Sequence, residues 1–107
     1  MQKNANSIPG GNPLTYRQCQ AVKVLVAQRL GLAPSSADDA VKLMQGDPVH
    51  PMQAASVDRE AAEIHNALAA ADPSKVAQAN DVGKQVLTEY GFAHLVAPAT
   101  QQGLVTQ

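Results

Sequence analysis

Only a few side chains in this sequence of 107 residues could act as nucleophiles, acids, bases or metal ligands. The single cysteine, Cys19, falls in the first turn of a predicted helix, where the positive end of the helix dipole favours a thiolate. A catalytic cysteine also needs a histidine base within reach, and His50, His65 and His94 all lie far from it in sequence. Because Cys19 also shares the apolar face of its helix, we interpret it as a small core residue.

The histidines and carboxylates do not have the spacing of a metal site. His65 has Ala61 and Ala69 four residues to either side, so its helix offers no pair of ligands one turn apart. Glu60 and Glu63 share one face of the same helix, and we expect both to be solvated. The sequence contains neither a phosphate-binding glycine loop nor a Gly-x-Ser-x-Gly elbow. We therefore predict a protein that is not an enzyme and has no cofactor, no metal ion and no small-molecule substrate.

The composition predicts a thin hydrophobic core. Apolar residues make up 45% of the chain, but aromatic residues make up only 3% and there is no tryptophan. Alanine-rich helices bury little area each, so burial worth about 25 cal/mol per Å2 leaves a small excess over the entropy of the chain. We expect self-association, or docking on a larger assembly, to supply further burial.

The apolar periodicity and the capping residues predict an all-α domain. Thr15 and Gln18 form a capping box at the start of the first helix, and Gly31 stands where a left-handed residue would end it. Ser35 or Ser36 is expected to cap the second helix. No segment alternates clearly enough to predict a strand. The expected architecture is a small bundle of about four helices, at approximately residues 15–30, 36–45, 54–71 and 73–90.

Two apolar stripes with helical spacing are expected to form most of the core. The stripe on the first helix consists of Cys19, Val22, Val26 and Leu30, widened by Ala21 and Leu25. The stripe on the third helix has coiled-coil-like spacing and consists of Val57, Ala61, Ile64, Leu68 and Ala71. Two heptads are too short for an independent coiled coil, so we expect the third helix to pack within the bundle.

The helical domain is expected to span residues 14–96, between an extended N-terminal arm, 1–13, and a polar C-terminal tail, 97–107. The arm is rich in Asn, Gly, Pro and Ser and lacks the apolar centre of a secretory signal peptide. No apolar run reaches the roughly 18 residues that a membrane-spanning helix requires. We expect a cytoplasmic protein or a component of a macromolecular assembly, with no membrane partner. Export through a non-classical, specialised secretion system is the alternative.

Residues 26–36, VAQRLGLAPSS, resemble the turn of a helix-turn-helix motif. A small residue is followed four positions later by Gly31 and then by a capped second helix. In DNA-binding examples of the motif, the second helix offers polar and basic side chains to base edges and to the phosphate backbone. The resemblance implies a DNA-binding regulator whose contacts would come from Arg29, Ser35, Ser36 and Lys42.

Two carboxylates weigh against nucleic acid as the partner. Asp38 and Asp39 lie in the first turn of the second helix, where the helix dipole favours acids. They would repel phosphates, and affinity for duplex DNA comes chiefly from neutralising phosphates. Lys42 is the only basic residue of that helix. We therefore favour a helix corner used for packing over a DNA reader.

The charges are unevenly distributed along the chain, although the net charge is only −1. Residues 1–37 carry four basic residues and no acid, whereas residues 38–107 carry nine acids and four basic residues. Such asymmetry can provide a basic surface for an acidic partner or can stack subunits head to tail, although four charges over 37 residues are dilute and ordinary solvated side chains explain them more simply. We predict that this surface lies on the first helix and consists of Arg17, Lys23 and Arg29.

The composition and the absence of catalytic motifs predict a non-enzymatic protein–protein interaction module. It would be a small structural, adaptor or inhibitor subunit of a larger assembly, of the kind that phages, plasmids and secretion systems encode. Its partner would be another protein or a second copy of the chain. Two alternatives stay open at this point: the DNA-binding regulator, and an exported effector that acts by binding.

Overall fold

The computed structural model of the protein describes residues 13–96 and confirms the all-α prediction for them. The predicted arm and tail lie outside the described residues, apart from Pro13. No strand occurs between residues 13 and 96. The helices are α1 (Tyr16–Arg29), α2 (Ala37–Gln45), α3 (Pro51–Ala69) and α4 (Pro73–Glu89), followed by a short 3-10 helix (Ala93–Leu95).

The helix starts follow from specific capping hydrogen bonds. The Thr15 hydroxyl accepts from the N–H of Gln18 at 3.1 Å, and the Gln18 side chain accepts from the N–H of Thr15 at 3.0 Å. This capping box confirms the predicted start of α1. At α4, Asp72 accepts from the N–H of Lys75 at 3.2 Å, and Pro73 occupies the first helical position.

α3 begins three residues earlier than predicted, at Pro51 rather than residue 54. The cap is His50, whose Nδ1 accepts from the N–H of Met52 at 3.1 Å. The Gln53 side chain in turn accepts from the N–H of His50 at 3.3 Å. Proline at the first helical position requires no N–H partner, so the helix can begin directly after the cap. Histidine is not among the residues usually preferred as an N-cap, so the sequence placed the start of α3 only approximately.

α1 is the central element, since each of the other three helices packs against it. α2 makes no contact with α4, and α3 makes few. As a result α1 is buried around more than one face, and Val24, which lies outside the predicted stripe, is fully buried. The largest fully buried side chains are Leu25, Val24, Val57 and Val86. The core is therefore small and mostly aliphatic, with Phe92 as its aromatic member.

Cys19 is exposed, which corrects its predicted place in the core. It shares one side of α1 with Val22 and Val26, as the spacing requires. However, α4 crosses α1 beside Val26, where Gly83 faces the Val26 side chain. Cys19 lies two turns before that crossing, where no helix covers it.

Two glycines give a matched test of backbone conformation. Gly31 ends α1 at φ +97°, with the N–H of Leu32 bonded to the carbonyl of Ala27 at 3.0 Å. Gly31→Ala should lower the free energy of unfolding by about 1 kcal/mol, because an L side chain is strained at this φ. Gly83 is helical, and an added Cβ would lie 3.7 Å from Val26 Cγ2, an ordinary contact.

Gly83→Ala should therefore leave stability unchanged or raise it by up to about 1 kcal/mol, because alanine has the higher helix propensity. Urea titrations followed by circular dichroism measure both variants. Equal effects of the two substitutions would contradict this assignment of the two glycines.

Candidate protein-binding groove

α3 and α4 leave a groove between them on one side of α1. Both helices pack against α1 but make few contacts with each other. We call this space the α3/α4 groove; it has a volume of about 1050 Å3. Val22 and Val26 of α1 form its floor, Leu68 of α3 lines one wall, and Val76 and Leu87 of α4 line the other. Its lining is mostly apolar.

The groove leaves the apolar faces of its wall helices incompletely covered. The buried residues of α3 all lie between residues 54 and 61. Ile64 and Leu68, which continue the same stripe, are only half-buried, and so is Val76 at the start of α4. The predicted stripe on the third helix thus divides into a first half that packs in the core and a second half, of which Leu68 and Ala71 line the groove. Contiguous accessible apolar surface of this kind marks interaction sites in soluble proteins.

A second, smaller pocket lies on the other side of the same α3 residues. Its volume is about 270 Å3, and Leu68 and Ala71 line both this pocket and the α3/α4 groove. Leu30 and Leu32, at the end of α1, contribute apolar surface, and Leu32 is 57% exposed. The accessible apolar surface therefore extends from α4 across the end of α3 to the turn after α1.

The charged residues of the two pockets differ. Lys23 of α1 and Lys84 of α4 line the α3/α4 groove together with His65, and no carboxylate is among its lining residues. Glu63 and Lys75 line the smaller pocket. The larger site is thus apolar with a cationic border.

Of the three basic residues predicted to form a docking surface, only Lys23 lines the groove. Arg17 Nη1 donates to Asp58 Oδ2 of α3 at 2.7 Å. Arg29 forms a two-point contact with Glu89 of α4, at 2.8 and 2.5 Å. The hydrogen bonds from Arg29 lower the pKa of Glu89, and the same contact raises the pKa of Arg29. Both arginines therefore bind α1 to its neighbouring helices.

These three residues do not form one face of α1. The spacing is six residues from Arg17 to Lys23 and six from Lys23 to Arg29. In a helix with 3.6 residues per turn, six residues rotate the side-chain direction by roughly 240°. Arg17, Lys23 and Arg29 consequently point in three directions. Helical geometry therefore separates the three side chains of the predicted docking surface.

The serines assigned to the DNA-binding alternative are bound to a carboxylate of α3. Glu60 Oε2 accepts from the N–H of Ser35 at 3.0 Å and from its hydroxyl at 2.5 Å. Glu60 Oε1 accepts from the N–H of Ser36 at 3.0 Å and from its hydroxyl. Ser36 is the N-cap of α2, as predicted, but its hydroxyl donates to Glu60 and does not accept from an N–H of the helix.

Glu60 is correspondingly not a freely solvated acid, which corrects the sequence interpretation. Partial burial raises the pKa of Glu60, but the hydrogen bonds from Ser35 and Ser36 together outweigh it, and the net pKa is lowered. The carboxylate also lies at the positive end of the α2 dipole. An anion from within the chain thus occupies the place that a DNA phosphate would take.

The other side chains that could take part in binding or catalysis are dispersed over the structure. Lys42 is exposed on α2, and Asp38 is exposed in the first turn of that helix. Nδ1 of His50 is engaged in capping α3. Within residues 13–96 no three His, Cys, Asp or Glu side chains come together as a metal site would require. None of the helices in this described range combines the length and hydropathy needed to cross a lipid bilayer.

Comparison with known protein families, characterised proteins and solved structures finds no match to this chain. The apolar spacing from Val57 to Ala71 predicted an apolar face on the third helix, and part of that face forms the α3 wall of the groove. The sequence gave no signal for the Glu60 contact with the serines, because the partners are 24 and 25 residues apart and on different elements.

Proposed function

We propose that this protein is a non-enzymatic protein–protein interaction module, a small structural, adaptor or inhibitor subunit that binds its partner through the α3/α4 groove. The observation that carries the proposal is the accessible apolar surface formed by Leu68, Val76 and Leu87, which are half-buried and line the groove. A small domain with a thin aliphatic core gains from covering such a surface, because burial of apolar area is the main favourable term in association.

Site-specific photo-crosslinking in the source cell tests the proposal. Ala77 is exposed and lines the groove, so a benzoylphenylalanine placed there should form an adduct with a bound protein. The matched control is the same amino acid at Lys42, which is exposed on α2 and does not line the groove. An adduct from position 77 and none from position 42 is expected. No adduct at either position, or adducts only from position 42, would contradict the proposal.

The DNA-binding alternative is less well supported. Glu60 already binds both serines that would contact phosphates, and Arg29 is paired with Glu89. We expect no mobility shift of duplex DNA at low salt, where phosphate contacts are strongest. A shift that Lys42→Ala and Arg29→Ala both weaken would instead favour the DNA-binding function.

The exported-effector alternative depends on residues 1–13, nearly all of which lie outside the described part of the chain. Deletion of residues 2–13 with loss of export, and with unchanged helicity by circular dichroism, would support it. Unchanged export of the deleted chain would exclude the arm as an export signal.

A further inference from the structure

We infer that the α3/α4 groove binds an amphipathic helix of a partner protein, whose apolar stripe is flanked by acidic side chains. The inference rests on the proposed function and adds the chemistry of the partner. It is drawn from three features of the groove: its all-helical walls, its length and its border charges.

The walls indicate that the bound segment is itself a helix. The floor and both walls of the groove are α-helices, whose backbone donors and acceptors are used internally. Between residues 13 and 96 there is no strand edge to which an extended peptide could add. A segment that brings a backbone whose hydrogen bonds are already satisfied, as a helix does, therefore suits this groove best.

The length of the groove sets the size of that helix. The α4 wall runs from Pro73 to Leu87. At about 1.5 Å per residue this wall is about 21 Å long, which corresponds to about four turns of a docked helix. The apolar residues along the wall would meet the i, i+3, i+4 and i+7 positions of such a helix.

The border charges indicate acidic flanks. Lys23 and Lys84 line the groove, and no Asp or Glu does. Lys23 Nζ donates to Gln20 Oε1 at 3.4 Å, and neither lysine forms an ion pair within the described residues. Acidic side chains beside the partner's apolar stripe would lie next to these lysines and complement them.

A second copy of the chain suits the groove less well. Docking groove to groove would be a self-complementary contact in which each residue type meets the same patch on the other copy. Such a contact would set two cationic groove borders against each other without carboxylates from the groove to neutralise them. We therefore assign the groove to a different protein.

Two helical probes test the assignment. Both are fluorescein-labelled, lactam-stapled peptides of about four turns with leucines at the core positions. One carries glutamates at the flanking positions and the other carries lysines. In fluorescence anisotropy, the full chain should bind the glutamate peptide on the order of tenfold more tightly than the lysine peptide.

Charge-reversal variants make the test specific to the groove. The double variant Lys23→Glu, Lys84→Glu should reverse the preference between the two peptides. Lys84→Glu alone should reduce the preference for the glutamate peptide. Because Lys84 is exposed, this single variant should fold even if the double variant does not. Lys42→Glu on α2 makes the same charge change outside the groove and should leave the preference unchanged.

Two results would overturn the inference. The first is equal binding of both peptides, or binding of neither, by a chain that keeps its helicity. The second is a dimer in sedimentation equilibrium that Ala77→Glu dissociates, since the groove would then hold a second copy. Crosslinks from position 77 without a preference for the glutamate peptide would leave the proposed function intact and remove only this inference.

Discussion

Leu25→Ala should lower the free energy of unfolding by about 3 kcal/mol, a large share of the stability of a domain of this size. Leu25 is 2% exposed and is the largest of the fully buried side chains of the core. Its truncation removes burial and leaves a cavity in the central helix, which the three surrounding helices can fill only in part. The core has no tryptophan, and small aliphatic side chains cannot expand to close the space.

The matched control is Leu32→Ala, the same chemical change at a leucine that is 57% exposed. It should cost less than about 1 kcal/mol, since little burial is lost. Urea unfolding followed by circular dichroism at 222 nm measures both free energies. A Leu25→Ala chain as stable as the Leu32→Ala chain would contradict the central position of α1.

Glu60→Ala should destabilise the fold by about 2 kcal/mol, although it removes an acid that the sequence places on a helix surface. The substitution removes the four hydrogen bonds from Ser35 and Ser36. Ser36 is only 2% exposed, so its groups would be left without the partner that burial requires. The junction between α2 and α3 would loosen as a result.

Glu63→Ala is the control for this variant, because Glu63 is an exposed glutamate one turn further along α3. It should change the stability by no more than about 0.5 kcal/mol. Chemical unfolding at neutral pH compares the two variants. Similar effects of both substitutions would mean that the serine contact does not stabilise the fold.

The pH dependence of the free energy of unfolding tests the contact between Glu60 and the serines independently. The folded-state pKa of Glu60 is lowered from the ordinary value of 4.5, so the unfolded chain binds the proton more tightly than the folded chain. The stabilisation is therefore fully present above the ordinary pKa and is lost as the pH falls through the lowered folded pKa. Glu60→Gln should lack this component, so the stability difference between wild type and variant should shrink in acid. A difference independent of pH would exclude the carboxylate as its source.

The groove illustrates which part of a site a sequence can reveal. The 4, 3, 4, 3 spacing from Val57 to Ala71 indicates one apolar face on α3, and that face exists. The spacing alone does not show how much of that face the neighbouring helices cover. Val57 and Ala61 are buried in one cluster with residues of α1 and α2, whereas Ile64 and Leu68 are half-buried. The accessible half of the stripe is thus a consequence of how the neighbouring helices cross.

The sequence by itself determined the local elements of this protein. Examples are the Thr15 capping box, the start of α4 at Pro73 and the glycine stop at Gly31, which involve contacts within a few residues. Short-range hydrogen bonds and backbone sterics decide such features, so the residue types are enough to predict them.

Only the tertiary structure decided which side chains meet. It bound Arg17 to Asp58 and Arg29 to Glu89, across 41 and 60 residues, and it left Cys19 exposed. It also brought Glu60 to the serines and opened the space between α3 and α4. The positions and crossing points of whole helices set these distances, and a periodic pattern records the direction of a side chain but not what stands opposite it.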